Sequence, residues 1–181
     1  RVAIFGASGA GKSTLVQLLF GLREPGSVLV LVEGHPVGSR RSASRPPGIG
    51  YAGAEPFLLH ASVEENLRYG NPRASREDVE RAAAMAEADA FIAALPDRYA
   101  TIIGGRGLAL SDGQRQRLGL ARLFLSDPRI LVLDEAFSAL DLGTEIRIRR
   151  QLWDAFHERT AIVVSHRPVG LAEVDRILYL Q

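Results

Sequence analysis

Three short apolar runs punctuate the chain: Val2-Ala3-Ile4-Phe5, Ile130-Leu131-Val132-Leu133 and Ala161-Ile162-Val163-Val164. Each is too short for a helix, is bounded by polar or glycine residues, and does not alternate with polar positions. That pattern predicts strands buried on both faces of a sheet. A fourth run, Ile177-Leu178-Tyr179-Leu180, closes the chain, and "SVLVLVEG" predicts an earlier strand ended by Gly34. Helix-length segments separate the runs, so the outline is α/β. From Asn71 to Ser126 the pattern turns helical. Ser75 and Asp78 give a capping-box start to "VERAAAMAEA", "ADAFIAALP" supplies a second amphipathic piece ending at Pro96, and Ser111 caps a helix beginning near Gly113. The expected organisation is one domain: a mainly parallel core of about residues 1–54 and 127–181, with a helical subdomain of about 55–126 inserted in it. "SRRSASRPPG", from Ser39 to Gly48, reads as a loop with solvated basic residues.

Composition narrows the class. The 181 residues are 46% hydrophobic and 24% charged, with a formal net charge of +1. That near-neutral balance gives no reason to expect a nucleic-acid partner. With no cysteine, disulfides and thiolate metal sites are excluded. No apolar run approaches the roughly 20 residues that span a bilayer, and no signal-peptide pattern opens the sequence. The segment is expected on the cytosolic side. It begins inside a strand-like run, "RVAIF", with Arg1 rather than Met, and reads as an excerpt truncated at its N-terminus.

The chemistry concentrates at the ends of the predicted strands. Gly6-Ala7-Ser8-Gly9-Ala10-Gly11-Lys12-Ser13-Thr14 follows a strand and opens the helix "STLVQLLFGL", the context of a phosphate-binding loop. Glycines let successive N–H groups point inward around phosphate oxygens, and the helix adds its positive end. Lys12 is the only lysine in a chain that otherwise uses arginine. Its compact point charge suits the β- and γ-phosphates in a tight loop better than a planar guanidinium does. Ser13 offers a hydroxyl to Mg²⁺. The second apolar run ends in Asp134-Glu135 and the third leads to Ser165-His166. In a parallel sheet, strand carboxyl ends converge on one crevice. Asp134 could there hold Mg²⁺, Glu135 accept the proton of an attacking water, and His166 contact the γ-phosphate. His35, His60 and His157 have no comparable setting. Ser111, Gly113 and Gln114 form a second bare helix mouth suited to an anion. One nucleotide does not need two such sites in one chain, but two chains head to tail would use both.

In order and spacing these motifs resemble the nucleotide-binding domain of an ATP-binding cassette (ABC) transporter, over essentially the whole chain. "GASGAGKST" is similar to the Walker A loop, "LSDGQ" to the family signature, "ILVLDE" to Walker B, "SALD" to the D-loop, and Ser165-His166 to the switch histidine. "EPFLLHASVEENLRYG" and "TIIGGRG" resemble segments of the exporter branch. The resemblance implies a P-loop NTPase fold with an inserted helical subdomain, ATP and Mg²⁺ as ligands, and a second nucleotide-binding domain as dimer partner. It also implies a transmembrane domain, of the same or an associated chain, at the cytoplasmic face of a membrane, and an adenine-stacking aromatic residue upstream of Arg1.

The sequence departs from the family pattern at Ala54, where a glutamine that reaches Mg²⁺ and the attacking water is expected. Asp112 replaces the first signature glycine and is expected to face outward, and Gly105 stands where a glutamate is common. With Lys12, Ser13, Asp134, Glu135 and His166 intact, an ATP-hydrolysing exporter motor is expected. The alternative is an impaired or regulatory half of a heterodimeric transporter. A soluble ABC ATPase of the DNA-maintenance kind would carry long coiled coils between Walker A and the signature, which this interval lacks.

Overall fold

Five parallel strands carry the fold in a computed structural model that describes residues 1–7, 9–27, 29–37, 48–105, 107–167 and 170–181. Strand β1 (Val2–Gly6) leads through the glycine-rich loop into helix α1 (Lys12–Leu19). A two-residue hairpin of β2 (Leu31–Val32) and β3 (His35–Pro36) follows, turned by Glu33 and Gly34, both at positive φ. The "SVLVLVEG" strand is therefore shorter than expected, and it pairs in a separate ribbon rather than in the main sheet. Val28 and most of the Ser39–Gly48 loop lie outside the described residues.

Strand β4 (Ile49–Gly53) precedes the helical insertion. The insertion comprises β5 (Ala61–Ser62), α2 (Val63–Arg68), α3 (Arg76–Met85), α4 (Asp89–Ala93), β6 (Ile102–Ile103) and α5 (Asp112–Ser126). The Ser75–Asp78 capping box closes the start of α3 as predicted. A second box, Ser62–Glu65, starts α2, which hydrophobic periodicity alone did not mark. The chain returns to the sheet with β7 (Ile130–Asp134), helix α6 (Leu142–Ala155), β8 (Thr160–Val164) and β9 (Arg176–Leu180).

The sheet order is β4-β7-β8-β1-β9, with every pairing parallel. Alternation along β7 explains why its apolar run is continuous. Leu131 and Leu133 join the larger core with Leu123, Leu152 and Trp153 from α5 and α6, while Val132 faces Ile4, Val16 and Val164 under α1. Both faces are thus covered. Only β9, at the sheet edge, leaves Ile177 and Tyr179 more than half exposed.

Candidate phosphate-binding and catalytic site

Strand order places the chemistry. β8 lies between β7 and β1, so the loops after all three emerge side by side at their carboxyl ends. Gly6 ends β1, and Ala7 and Ala10 close a turn through Ala10 N–H donating to the Ala7 carbonyl at 3.2 Å. Ser8 lies outside the described residues. Gly11, at φ 93°, takes the left-handed conformation that delivers the chain into α1, which a residue with a Cβ adopts only under strain. Lys12 folds back over the loop, its Nζ donating to Gly6 O at 2.7 Å and Ala7 O at 2.8 Å. Its ammonium is thereby held over the mouth of the loop.

Gly9, Lys12, Ser13 and Thr14 face Asp134, Glu135 and His166 around a cleft of about 360 Å³. Glu135 Oε1 lies 2.9 Å from His166 Nδ1, with His166 largely exposed and Glu135 mostly covered. An ionised carboxylate only accepts, so Nδ1 carries the proton in this contact. Glu135 sits at φ 54°, a rare conformation for a side-chain-bearing residue, and its N–H donates to Val164 O at 3.0 Å. Strain of this kind costs about 1–3 kcal/mol and persists where surrounding structure fixes it. Asp134 has its pKa raised, first by burial and then by the charge of Glu135, against smaller opposing effects of the Tyr51 hydroxyl and Lys12. Tyr51 is itself pushed up by burial and then by Asp134.

The donor set suits Mg²⁺. Ser13 and Asp134 bring one hydroxyl and one carboxylate to the same cleft. Among the described residues no group of three or more acidic, histidine or cysteine side chains could cage a metal alone. An ion that keeps waters and takes the remaining ligands from phosphates needs only such a pair.

The signature residues stand elsewhere. Ser111, Gly113 and Gln114 do not line the cleft, and the helix mouth is not bare. Ser111 Oγ accepts from Gln114 N–H at 3.2 Å, and Gln114 Oε1 accepts from Ser111 N–H at 2.9 Å, a reciprocal box that satisfies two donors. Gly113 is needed for another reason: a Cβ there would lie 2.9 Å from the Ala139 carbonyl. Asp112 faces outward, paired with Arg115.

Two structural residues escaped the sequence reading. Gln116, fully buried, donates through Nε2 to Ala54 O at 2.9 Å and Ser138 Oγ at 2.8 Å, and accepts from Ala139 N–H at 2.9 Å. It joins the end of β4 to the segment after Glu135. A polar residue inside an amphipathic helix gives no sequence signal for this. Glu145, 2% exposed, pairs with Arg149 at 2.9 Å and with Arg167 at 3.2 Å, the latter without an aligned hydrogen bond to Oε2. Arg167 directly follows His166, so α6 anchors the turn that carries the imidazole.

Residues 1–138 match the sequence model of the family described as "ABC transporter". The chain belongs to the ABC transporter family. It is a nucleotide-binding domain of the exporter type, with the ABC ATPase fold. The domain is 41% identical over 181 residues to the ABC transporter ATM1 of Toxoplasma gondii, covering all of this chain and 16% of that protein. It is also 41% identical over 180 residues to a Staphylococcus aureus ATP-binding/permease protein named for multidrug export, covering 99% of this chain and 31% of that one. A bacterial Atm1-family ABC exporter solved with ATP bound superposes with a TM-score of 0.92 at 39% identity, over all of this chain and 32% of that one. The domain thus spans less than a third of each of these relatives. Among its described residues no helix is long and apolar enough to cross a membrane.

Proposed function

We propose that this ABC domain binds and hydrolyses Mg-ATP, pairing head to tail with a second nucleotide-binding domain around two nucleotides to drive export through a transmembrane domain. The observation that carries this reading is the convergence of Lys12, Ser13, Asp134, Glu135 and His166 on one cleft, with Glu135 and His166 2.9 Å apart. Gly6 to Thr14 cradle the phosphates, and Lys12 exchanges its loop carbonyls for β- and γ-phosphate oxygens. Ser13 and Asp134 hold Mg²⁺, which when bound neutralises charge on those oxygens. Glu135 takes the proton of the attacking water, oriented by His166 through Oε1 while its other oxygen accepts from the water. Ser111, Gly113 and Gln114 of the partner domain close the nucleotide from the opposite side, in keeping with their distance from the cleft in their own chain.

In this reading the core of about residues 1–54 and 127–181 holds the nucleotide and the helical part of about 55–126 presents the signature. The assembly sits at the cytoplasmic face of a membrane and has no nucleic-acid partner. The test is phosphate release against protein concentration for the full-length protein, with Glu135→Gln as control. Rates rising more steeply than linearly and lost in the control support a competent dimer. Nucleotide binding without turnover in the parent overturns the hydrolytic reading. It would favour the second one, a degenerate half of a heterodimer, which Ala54 recommends because a methyl group can touch neither metal nor water.

A further inference from the structure

The cavity beside α1 holds a polar group that the scheme above leaves unused. Tyr51 and Gly53 alternate onto the same face of β4, and the β4–β7 register sets Tyr51 against Val132 and Gly53 against Asp134. A Cβ at residue 53 would lie 2.4 Å from Tyr51 Oη and 2.8 Å from its Cε1. The tyrosine ring therefore lies along the strand over the bare glycine, with its hydroxyl carried toward the neighbouring Asp134. Phe20, just beyond α1, meets the ring edge-on at 5.6 Å and 87° and props it in that pose. Tyr51 and Phe20 line a cavity of about 640 Å³ with Ser13 and Asp134. Those last two residues also line the phosphate cleft, so the cavity opens onto the proposed Mg²⁺ position.

Two of the polar groups nearby are already engaged. Lys12 is bonded to the loop carbonyls and Glu135 to His166. The side chain of Ala54 has no polar atom, and its carbonyl is taken by Gln116. Building on the proposed function, we infer that Tyr51 is a positioning residue for Asp134, its hydroxyl fixing the carboxylate that binds the divalent cation, in a space that Gly53 leaves open. Tyr51 and Gly53 act as one unit: the hydroxyl does the orienting, and the missing Cβ lets it arrive.

The test is Mg²⁺ dependence of nucleotide binding, read from a fluorescent ATP analogue on the full-length protein, so it needs no turnover. Tyr51→Phe is expected to leave affinity in EDTA unchanged and to raise the half-saturating Mg²⁺ concentration about ten- to a hundredfold, the range of one hydrogen bond to a charged group. Gly53→Ala, which pushes the ring aside, is expected to shift it in the same direction, and the double variant no further than the larger single one. A Tyr51→Phe midpoint equal to the parent's, or additive shifts in the double variant, would overturn the assignment and leave the ring as packing against Phe20. A parent that binds no nucleotide would instead overturn the phosphate-site reading, and this inference with it.

Discussion

Glu135 and His166 come from the ends of adjacent strands, β7 and β8, and meet with Oε1 2.9 Å from Nδ1. The pair is fixed from the backbone side as well, because Glu135 N–H donates to Val164 O while Ser165 N–H donates to Ile4 O at 3.3 Å. Two catalytic candidates distant in sequence thus share one scaffold of sheet hydrogen bonds.

A group that takes a proton in the rate-limiting step contributes about 10²- to 10⁴-fold. Glu135→Gln is expected to lower turnover by that order while leaving nucleotide affinity intact, since the amide oxygen still accepts from His166. His166→Ala is expected to lower turnover too, and the double variant to be little worse than Glu135→Gln alone, because residues acting as a unit are not additive. Single-turnover phosphate release on the four proteins is the measurement. Multiplicative losses would mean that the two residues act independently.

The convergence of Lys12, Ser13, Asp134, Glu135 and His166 on one cleft was legible in the sequence because these residues sit at strand ends that the apolar runs already mark, and because one lysine stands among arginines. Strand β4 was not legible. "IGYAG" carries two glycines, poor strand formers, in five residues. The structure supplies the reason for the first: a Cβ at Gly50 would lie 2.4 Å from Leu123 Cδ1 and 2.6 Å from Pro128 Cγ, so α5 and the turn after it press directly on the strand backbone. The signature mouth reads as bare in sequence, yet two of its N–H groups, those of Ser111 and Gln114, are satisfied by the reciprocal box. Local pattern shows which residues begin a helix, but whether the following side chain turns back is a matter of rotamer.

Gly50→Ala therefore overpacks a buried contact between residues more than 70 positions apart in sequence. It is expected to destabilise the chain by about 1–3 kcal/mol. Leu123→Ala alone should cost about 2–5 kcal/mol through the cavity it leaves. Combined, the two should cost clearly less than their sum, because the new methyl enters the space the leucine vacates. Urea unfolding of the four proteins checks this. Strict additivity would place the clash at Pro128 instead.

Glu145 is buried between two arginines, and removing one member of such a set is costly because the others stay charged. Glu145→Gln is expected to cost about 3–5 kcal/mol. Arg167→Met should cost much less, since Arg167 is partly exposed and Arg149 still neutralises the carboxylate. Arg167→Met nevertheless frees the turn holding His166. Its predicted signature is a fall in turnover with unchanged nucleotide affinity, partly restored by Arg167→Lys. Denaturation and phosphate release measured on the same samples separate the two effects, and loss of nucleotide binding in Arg167→Met would contradict the assignment.

Glu64 ties α2 to α3 and gives the fold a defined response to acid. Its carboxylate accepts from Arg68 Nη2 at 2.8 Å and also pairs with Arg76, which in turn reaches Glu80 at 2.7 Å. These partners, the Arg68 hydrogen bond foremost, hold the Glu64 pKa below its ordinary value. A depressed carboxylate pKa means that the unfolded chain binds the proton more readily. The resulting stability is present in full above the unfolded pKa and disappears as pH falls through the folded one. The pair is only partly buried and reached by solvent, so the contribution is about 1 kcal/mol or less. In a chain of this size that corresponds to a Tm difference of at most about 2–4 °C. Glu64→Gln is therefore expected to melt below the parent at about pH 7 and together with it once the pH is well under the carboxylate range near 4. High salt should narrow the neutral-pH gap, as screening predicts for exposed charges. A gap that persists unchanged in acid would show that Glu64 acts through packing of its aliphatic stem against α3 rather than through its charge.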